Sequence, residues 1–175
     1  GLVQGYGQIA LSSALGANSN EYVNNGTLRA QDGTLIVGAP TNSGTFINKG
    51  TVEVMGGSRL LHYDQFTPTT FDGDGGTWAA YADDQAATLE FLQANSTLNG
   101  SSPGIDTLTN GTVILSGAKA NLTATYYDNR IVGLNFGQKI DLQESLETIS
   151  STATLALENG QHFAASNLIT NQGQI

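Results

Sequence analysis

The chain has 175 residues, the size of one ordinary domain, and 70 of them are Gly, Asn, Thr or Ser while only 12% are charged. A helical bundle needs strong helix formers on its surface, and a disordered tail would not carry 39% apolar residues with so little charge. Six basic against fifteen acidic residues, a net charge of −9, argue against nucleic acid and anionic bilayers as natural partners, and the lack of cysteine excludes disulfides, thiolate metal sites and cysteine nucleophiles. No apolar run approaches the roughly 18 residues of a membrane span, so membrane insertion is not expected.

In chain order, one phrase recurs: Asn, any residue, Gly, Thr or Gln, then an apolar residue. A weak copy is Gly5-Tyr6-Gly7-Gln8-Ile9. Fuller copies are Asn24-Asn25-Gly26-Thr27-Leu28, Asn48-Lys49-Gly50-Thr51-Val52, Thr109-Asn110-Gly111-Thr112-Val113 and Asn171-Gln172-Gly173-Gln174-Ile175. The shared glycines, Gly7, Gly26, Gly50, Gly111 and Gly173, are separated by 19, 24, 61 and 62 residues. Each long gap has room for about three turns of a repeat of roughly 20 residues. Short strand-like stretches accompany the phrases: residues 27–30, 34–37, 51–54, 112–115 and 154–157. Thr and β-branched residues suit a pleated surface, and Asn-Gly or Asp-Gly supplies the positive φ of a tight turn.

Two arrangements use such strands: an antiparallel sandwich with hairpins at Asn-Gly, and a parallel coil whose turns stack. Hairpins need matched strands on both sides of the turn. The residues ahead of the turns, such as 16–21 and 40–43, are polar and poorly patterned, which favours the coil. In a stack, identical polar side chains at equivalent positions form ladders of hydrogen bonds. The stretch from Leu60 to about Gly104 departs from the phrase, holding the single Trp and three of the six Phe, and reads as an insertion or a set of irregular rungs. Ile140 to Thr148 contains one short helical turn on this reading.

The phrases Tyr22-Val23-Asn24-Asn25-Gly26-Thr27-Leu28-Arg29-Ala30 and Phe46-Ile47-Asn48-Lys49-Gly50-Thr51-Val52-Glu53-Val54 resemble bacterial secreted β-solenoid repeat proteins, the passenger regions of autotransporters and related large adhesins. Residues 131–142, ending Lys139-Ile140-Asp141-Leu142, are similar to a Gly-Asp-x-Ile-Asp-Leu phrase of such passengers, with Gln138 in place of the first Asp. The resemblance covers about half the chain. It implies a fold and an extracellular or cell-surface location, and it brings no catalytic residue. No membrane-spanning barrel of an autotransporter is seen, so the expectation is a passenger fragment or a freestanding secreted protein.

Candidate sites are few. Asp72, Asp74 and Asp83 imitate positions 1, 3 and 12 of a calcium loop, but Thr77 stands where that loop needs Gly and Asp83 replaces its bidentate Glu; an ordinary acidic turn is the competing reading. Calcium is the sole candidate cofactor. Paired carboxylates for polysaccharide cleavage could be drawn from Asp64, Asp72, Asp74, Asp83, Glu90 and Asp128, against the reading of a solvated acidic surface. His62 and His162 have no metal-ligand spacing, and no nucleophile elbow accompanies them. Tyr63, Phe66, Phe71, Trp78, Tyr81 and Phe91 crowd together; exposed, Tyr63, Trp78 and Tyr81 would offer a glycan or an adhesive surface, while buried rings would make a satellite core. Asn-x-Ser/Thr triplets at Asn25, Asn95, Asn99, Asn110 and Asn121 accompany a composition already rich in both residues.

These observations point to a single all-β domain over residues 1–175, a right-handed parallel β-helix with an irregular insertion around residues 60–104. Its interior would hold Leu28, Leu35, Val37, Val52, Val54, Val113, Leu115, Leu155 and Leu157. Roughly seven to nine rungs at about 4.8 Å would make a rod about 35–45 Å long. The expected role is a non-enzymatic structural or adhesive scaffold, whose partners are other copies of itself, further repeats of a longer parent chain, or surface glycans. A glycan-binding adhesin or phage-fibre module and a polysaccharide lyase or hydrolase are the alternatives.

Overall fold

A computed structural model describes residues 1–9, 21–38, 45–64, 70–94, 104–127 and 138–175, without the side chains of residues 63, 64, 93, 94, 126, 127 and 138. The elements are β1 (Leu2–Ile9), β2 (Glu21–Asn24), β3 (Thr27–Val37), β4 (Thr45–Asn48), β5 (Thr51–Met55), β6 (Arg59–Asp64), β7 (Thr70–Asp72), β8 (Thr77–Tyr81), β9 (Ala87–Ala94), β10 (Thr107–Thr109), β11 (Gly111–Ser116), β12 (Ala120–Tyr127), β13 (Gln138–Asp141), α1 (Leu142–Ser145), β14 (Thr148–Ile149), β15 (Ala153–Glu158) and β16 (Thr170–Asn171). The protein is all-β with almost no helix. Ten strands form one curled, mixed sheet in the order β13-β12-β9-β6-β3-β5-β8-β11-β15, with β1 also on β3; β16-β14-β10-β7 and β2-β4 form two smaller sheets.

The sheet curls because β3 belongs to two stretches of it. Its first half pairs with β5 and its second half with β6. Between them Asp32 (φ 62°) and Gly33 (φ 154°) turn the strand, as a bulge does. The Asp-Gly pair that reads as a hairpin signal therefore makes a bend inside one strand. Every described pairing is parallel except β12 with β13.

Register gathers like residues into columns. Leu2, Thr27, Thr51, Thr77, Thr112, Thr154 and Gln174 stand in successive pairing positions. Six steps of about 4.8 Å make this column roughly 29 Å long, shorter than the rod expected from sequence. Thr70, Thr107, Thr148 and Thr170 make a second threonine column in the four-stranded sheet. Next to the first column run Leu28, Val52, Trp78, Val113 and Leu155, and across the curl run Leu35, Leu60, Leu89 and Leu122, all buried in one core. Each such side chain contributes about 1.5–3 kcal/mol by leaving water, shared between neighbouring levels. Of the nine interior residues expected from sequence, eight are buried and Leu157 is partly buried against them.

Three sequence expectations need correction. The described part of residues 60–104 is not irregular: β6, β7, β8 and β9 pair in register with their neighbours, because its aromatic side chains take the place of aliphatic ones inside the core. Residues 65–69 and 95–103 lie outside the described residues. Gly7 is not the equivalent of Gly26; it pairs with Leu35, while the Gly1 carbonyl accepts from Thr27 N–H as the Gly26 carbonyl does from Thr51 N–H. Each long gap between glycines holds two levels rather than three, the additional members being Gly76 and Ala153. The short helical turn expected within residues 140–148 is α1, where Asp141 N–H donates to Glu144 Oε2 at 3.1 Å.

Candidate functional site

The recurring phrase is a turn with its own chemistry. Asn24 Oδ1 accepts from Gly26 N–H at 3.1 Å, Asn48 Oδ1 from Gly50 N–H at 3.2 Å, and Asn171 Oδ1 from Gly173 N–H at 3.0 Å. This is the Asx turn, in which the side chain replaces a backbone acceptor. The turns are also joined: Asn24 Nδ2 donates to Asn48 Oδ1 at 2.9 Å and to the Thr51 carbonyl at 3.1 Å, and Asn48 Nδ2 donates to the Thr77 carbonyl at 2.9 Å. The ladder of asparagines expected from the phrase is present between these two levels. Glycine follows because the turns lie so close: a Cβ on Gly50 would stand 2.1 Å from the Gly26 carbonyl oxygen.

At the next level Asp74 replaces the ladder asparagine. Its Oδ2 accepts from Asn48 N–H at 3.2 Å, and Lys49 Nζ donates to its carbonyl. Burial and the neighbouring Asp72 raise its carboxyl above the ordinary value, against the Asn48 N–H and Lys49. Asp72 is committed too: Oδ1 accepts from Asp74 N–H at 2.9 Å and Oδ2 from Asn110 Nδ2 at 3.1 Å. Asp83 lies past the other end of the five-residue strand β8, roughly 16 Å of strand away, and its Oδ1 accepts from Gln85 N–H at 2.8 Å. The three carboxylates proposed as calcium ligands are thus not brought together, and among the described residues no three His, Asp or Glu converge to hold a metal.

The aromatic side chains make an interior. Trp78 is 2% exposed, and its ring centroid lies 5.2 Å from that of Phe91, 5.7 Å from Phe71, 5.7 Å from His62 and 6.1 Å from Phe46. The edge-on packing is the arrangement ring quadrupoles favour. Trp78 is therefore a core residue, in the column of Val52 and Val113, and not a surface platform. Tyr81 is half-buried; burial, then the charges of Glu53 and Glu158, push its phenol up. Tyr63 has its backbone in β6, and its side chain, like Phe66, Asp64, Asp128, Asn95 and Asn99, falls outside what is described. His62 is fully buried among the rings, and burial lowers its pKa to about 3, so the imidazole is neutral.

An ionic cluster around one buried carboxylate is the feature that sequence reading did not find. Glu90, inaccessible to solvent on β9, receives Arg59 Nη2 at 2.6 Å, Lys139 Nζ at 2.9 Å and Thr125 Oγ1 at 2.8 Å. Burial alone would raise its pKa; the hydrogen bonds from Arg59, Lys139 and Thr125 outweigh burial and hold it below the ordinary value. Four strands, β6, β9, β12 and β13, meet in this cluster, and Lys139 ties the antiparallel β13 to the parallel part of the sheet. The partners lie 31, 35 and 49 residues from Glu90, and only the register shows that they meet.

A cleft of about 170 Å³ opens between the turn from β11 into β12, α1 and the segment after β15. Lys119, Asn121, Gln143, Gln161, His162 and Phe163 line it. No protein family model, no curated protein and no solved structure matches the chain.

Proposed function

We propose that the chain is a rung-by-rung β-solenoid scaffold, a right-handed parallel β-helix of the kind found in secreted bacterial passengers and adhesins, working outside the cell as structure or adhesive surface. The observation that supports it most is the seven-member column from Leu2 to Gln174, in which residues about one turn apart in sequence pair in parallel. A repeated parallel level joined by Asx turns supplies stiffness and length and needs no catalytic group. Of the described candidate carboxylates, Asp72 and Asp74 are bound into turns, and Glu90 is paired with Arg59 and Lys139.

Its partner is a further rung of the same kind, from another copy or from more repeats of a longer chain. Strand β1 pairs with β3 alone among the described strands. Val3 stands in the core column of Leu28 and Val52 yet is 60% exposed, with Leu2 at 52% and Tyr6 at 73%. An open parallel edge with apolar side chains is a template for another strand, and a contact between unlike ends that does not close gives a fibre. Electron microscopy and light scattering over a concentration series, with Val3→Lys for comparison, test this. Filaments that the substitution abolishes are expected; monomers at every concentration would overturn self-stacking.

A further inference from the structure

Asparagine followed by glycine is the pair in which a side-chain amide and a backbone nitrogen can react with each other, because glycine has no Cβ to shield that nitrogen. The chain has four such pairs, at Asn25, Asn99, Asn110 and Asn159, and all but the one at Asn99 lie among the described residues. In two of these three the attacking nitrogen is occupied. Gly26 N–H donates to Asn24 Oδ1 at 3.1 Å, and the Gly26 carbonyl accepts from Thr51 N–H. Gly111 N–H donates to the Thr152 carbonyl at 3.1 Å, while Asn110 Nδ2 donates to Asp72 Oδ2 at 3.1 Å. Both glycines are also wedged against the neighbouring level, where an added Cβ would run into the Gly1 carbonyl at Gly26 and the Gly76 carbonyl at Gly111. The third pair differs on each count. Asn159 (φ 50°) and Gly160 (φ 80°) form an exposed turn closed by Gln161 N–H on the Glu158 carbonyl at 3.0 Å. Gly160 N–H donates to no group among the described residues, and nothing lies within 4 Å of a Cβ added there.

We propose that the fold makes Asn159 a site of self-modification, converted by water to aspartate and isoaspartate. Gly160 N gives up its proton to solvent and attacks Asn159 Cγ; the N–Cγ bond forms, the Cγ–Nδ2 bond breaks, and ammonia leaves with a proton taken back from solvent. One water molecule then opens the five-membered succinimide at either of its carbonyls, giving aspartate or isoaspartate. Water is the only co-reactant. At Asn159 the step gives up a single side-chain bond, Nδ2 to Ser116 Oγ at 2.8 Å, in an exposed turn. At Asn25 and Asn110 it has to free a glycine N–H that is bonded and packed between levels. The product takes the donor away from Ser116, sets a new carboxylate beside Glu158 and, as isoaspartate, lengthens the turn after β15 by one backbone atom.

The test is a long incubation of the full folded chain in warm, mildly alkaline buffer, with its peptides mapped by mass spectrometry and isoaspartate counted by enzymatic methylation. Conversion at Asn159 should outrun that at Asn25 and at Asn110 by about tenfold or more, the factor that one closed backbone hydrogen bond supplies. The same incubation in concentrated urea opens every turn, and there the three rates should draw together. Conversion at Asn159 no faster than at the other two in the folded chain overturns the proposal. So does an excess at Asn159 that persists unchanged in urea, since it would then come from the local sequence and not from the fold.

Discussion

Asn24 donates its side-chain amide to Asn48 across 2.9 Å, and each of the two asparagines accepts from the N–H of the glycine two residues after it. One residue type thus closes a turn and joins that turn to the next level. Asn48 is fully buried and holds three partners through its side chain: Asn24, Gly50 and the Thr77 carbonyl. Asn48→Ala leaves those groups without it and should destabilise the protein by about 2–4 kcal/mol in a urea titration. Asn171→Ala, at an exposed turn with one such bond, should cost about 1 kcal/mol or less. Equal losses would show that the ladder adds nothing to the turn.

The glycines of the phrase are held by space more than by backbone angle. Gly50→Ala brings a Cβ to 2.1 Å from the Gly26 carbonyl oxygen, a clash with backbone that no rotamer relieves. Gly160, at φ 80° with nothing within 4 Å of an added methyl, meets only the strain of its angle. Gly50→Ala is expected to abolish the cooperative transition or cost more than about 3 kcal/mol, and Gly160→Ala about 1–2 kcal/mol. Thermal melts followed by circular dichroism separate the two outcomes.

Acid should weaken the fold in two windows. Below pH 6.5 the unfolded chain takes up a proton at His62 that the folded chain refuses until about pH 3, so stability falls as pH drops across that range. Glu90 has a depressed folded pKa; its contribution is present above its ordinary value of 4.5 and is lost as pH falls through the folded value. The net charge of −9 shrinks over the same range and eases self-repulsion, so each window is read against a variant. His62→Phe should flatten the urea midpoint between pH 6.5 and 4.5. Glu90→Gln should flatten it below 4.5 while lowering it at pH 7, where Arg59 and Lys139 lose their counter-charge. Parallel pH profiles for parent and variants would contradict these assignments.

What could be read from sequence was the repeated turn and the apolar positions beside it. Asn-x-Gly-Thr states its own geometry, because the side-chain oxygen, the close approach and the pleated surface each need one residue type. The level at Asp74-Gly75-Gly76-Thr77 was hidden because aspartate accepts from a backbone N–H as asparagine does but does not match it by letter, and the level at Ala153 because alanine replaces the glycine. Trp78 reads from sequence either as an exposed platform or as part of a satellite core, because a lone tryptophan among acidic residues has no period; its register with Val52 and Val113 decides for the core. The Glu90 cluster depends on strands far apart in sequence, and the cleft on three separate stretches, so neither has a local signal.

The parallel winding itself is tested most directly with introduced cysteines, since the chain has none of its own. Thr51 and Thr77 occupy paired positions on adjacent strands, while Thr51 and Thr112 are two strands apart, about 9.6 Å. A disulfide needs Cα atoms within about 7 Å. Under mild oxidation the Thr51→Cys, Thr77→Cys protein should close its bridge in the folded state and become more stable to urea, and the Thr51→Cys, Thr112→Cys protein should remain reduced. Failure of the first pair to bridge, or equal bridging by both, would contradict the stacked parallel scaffold.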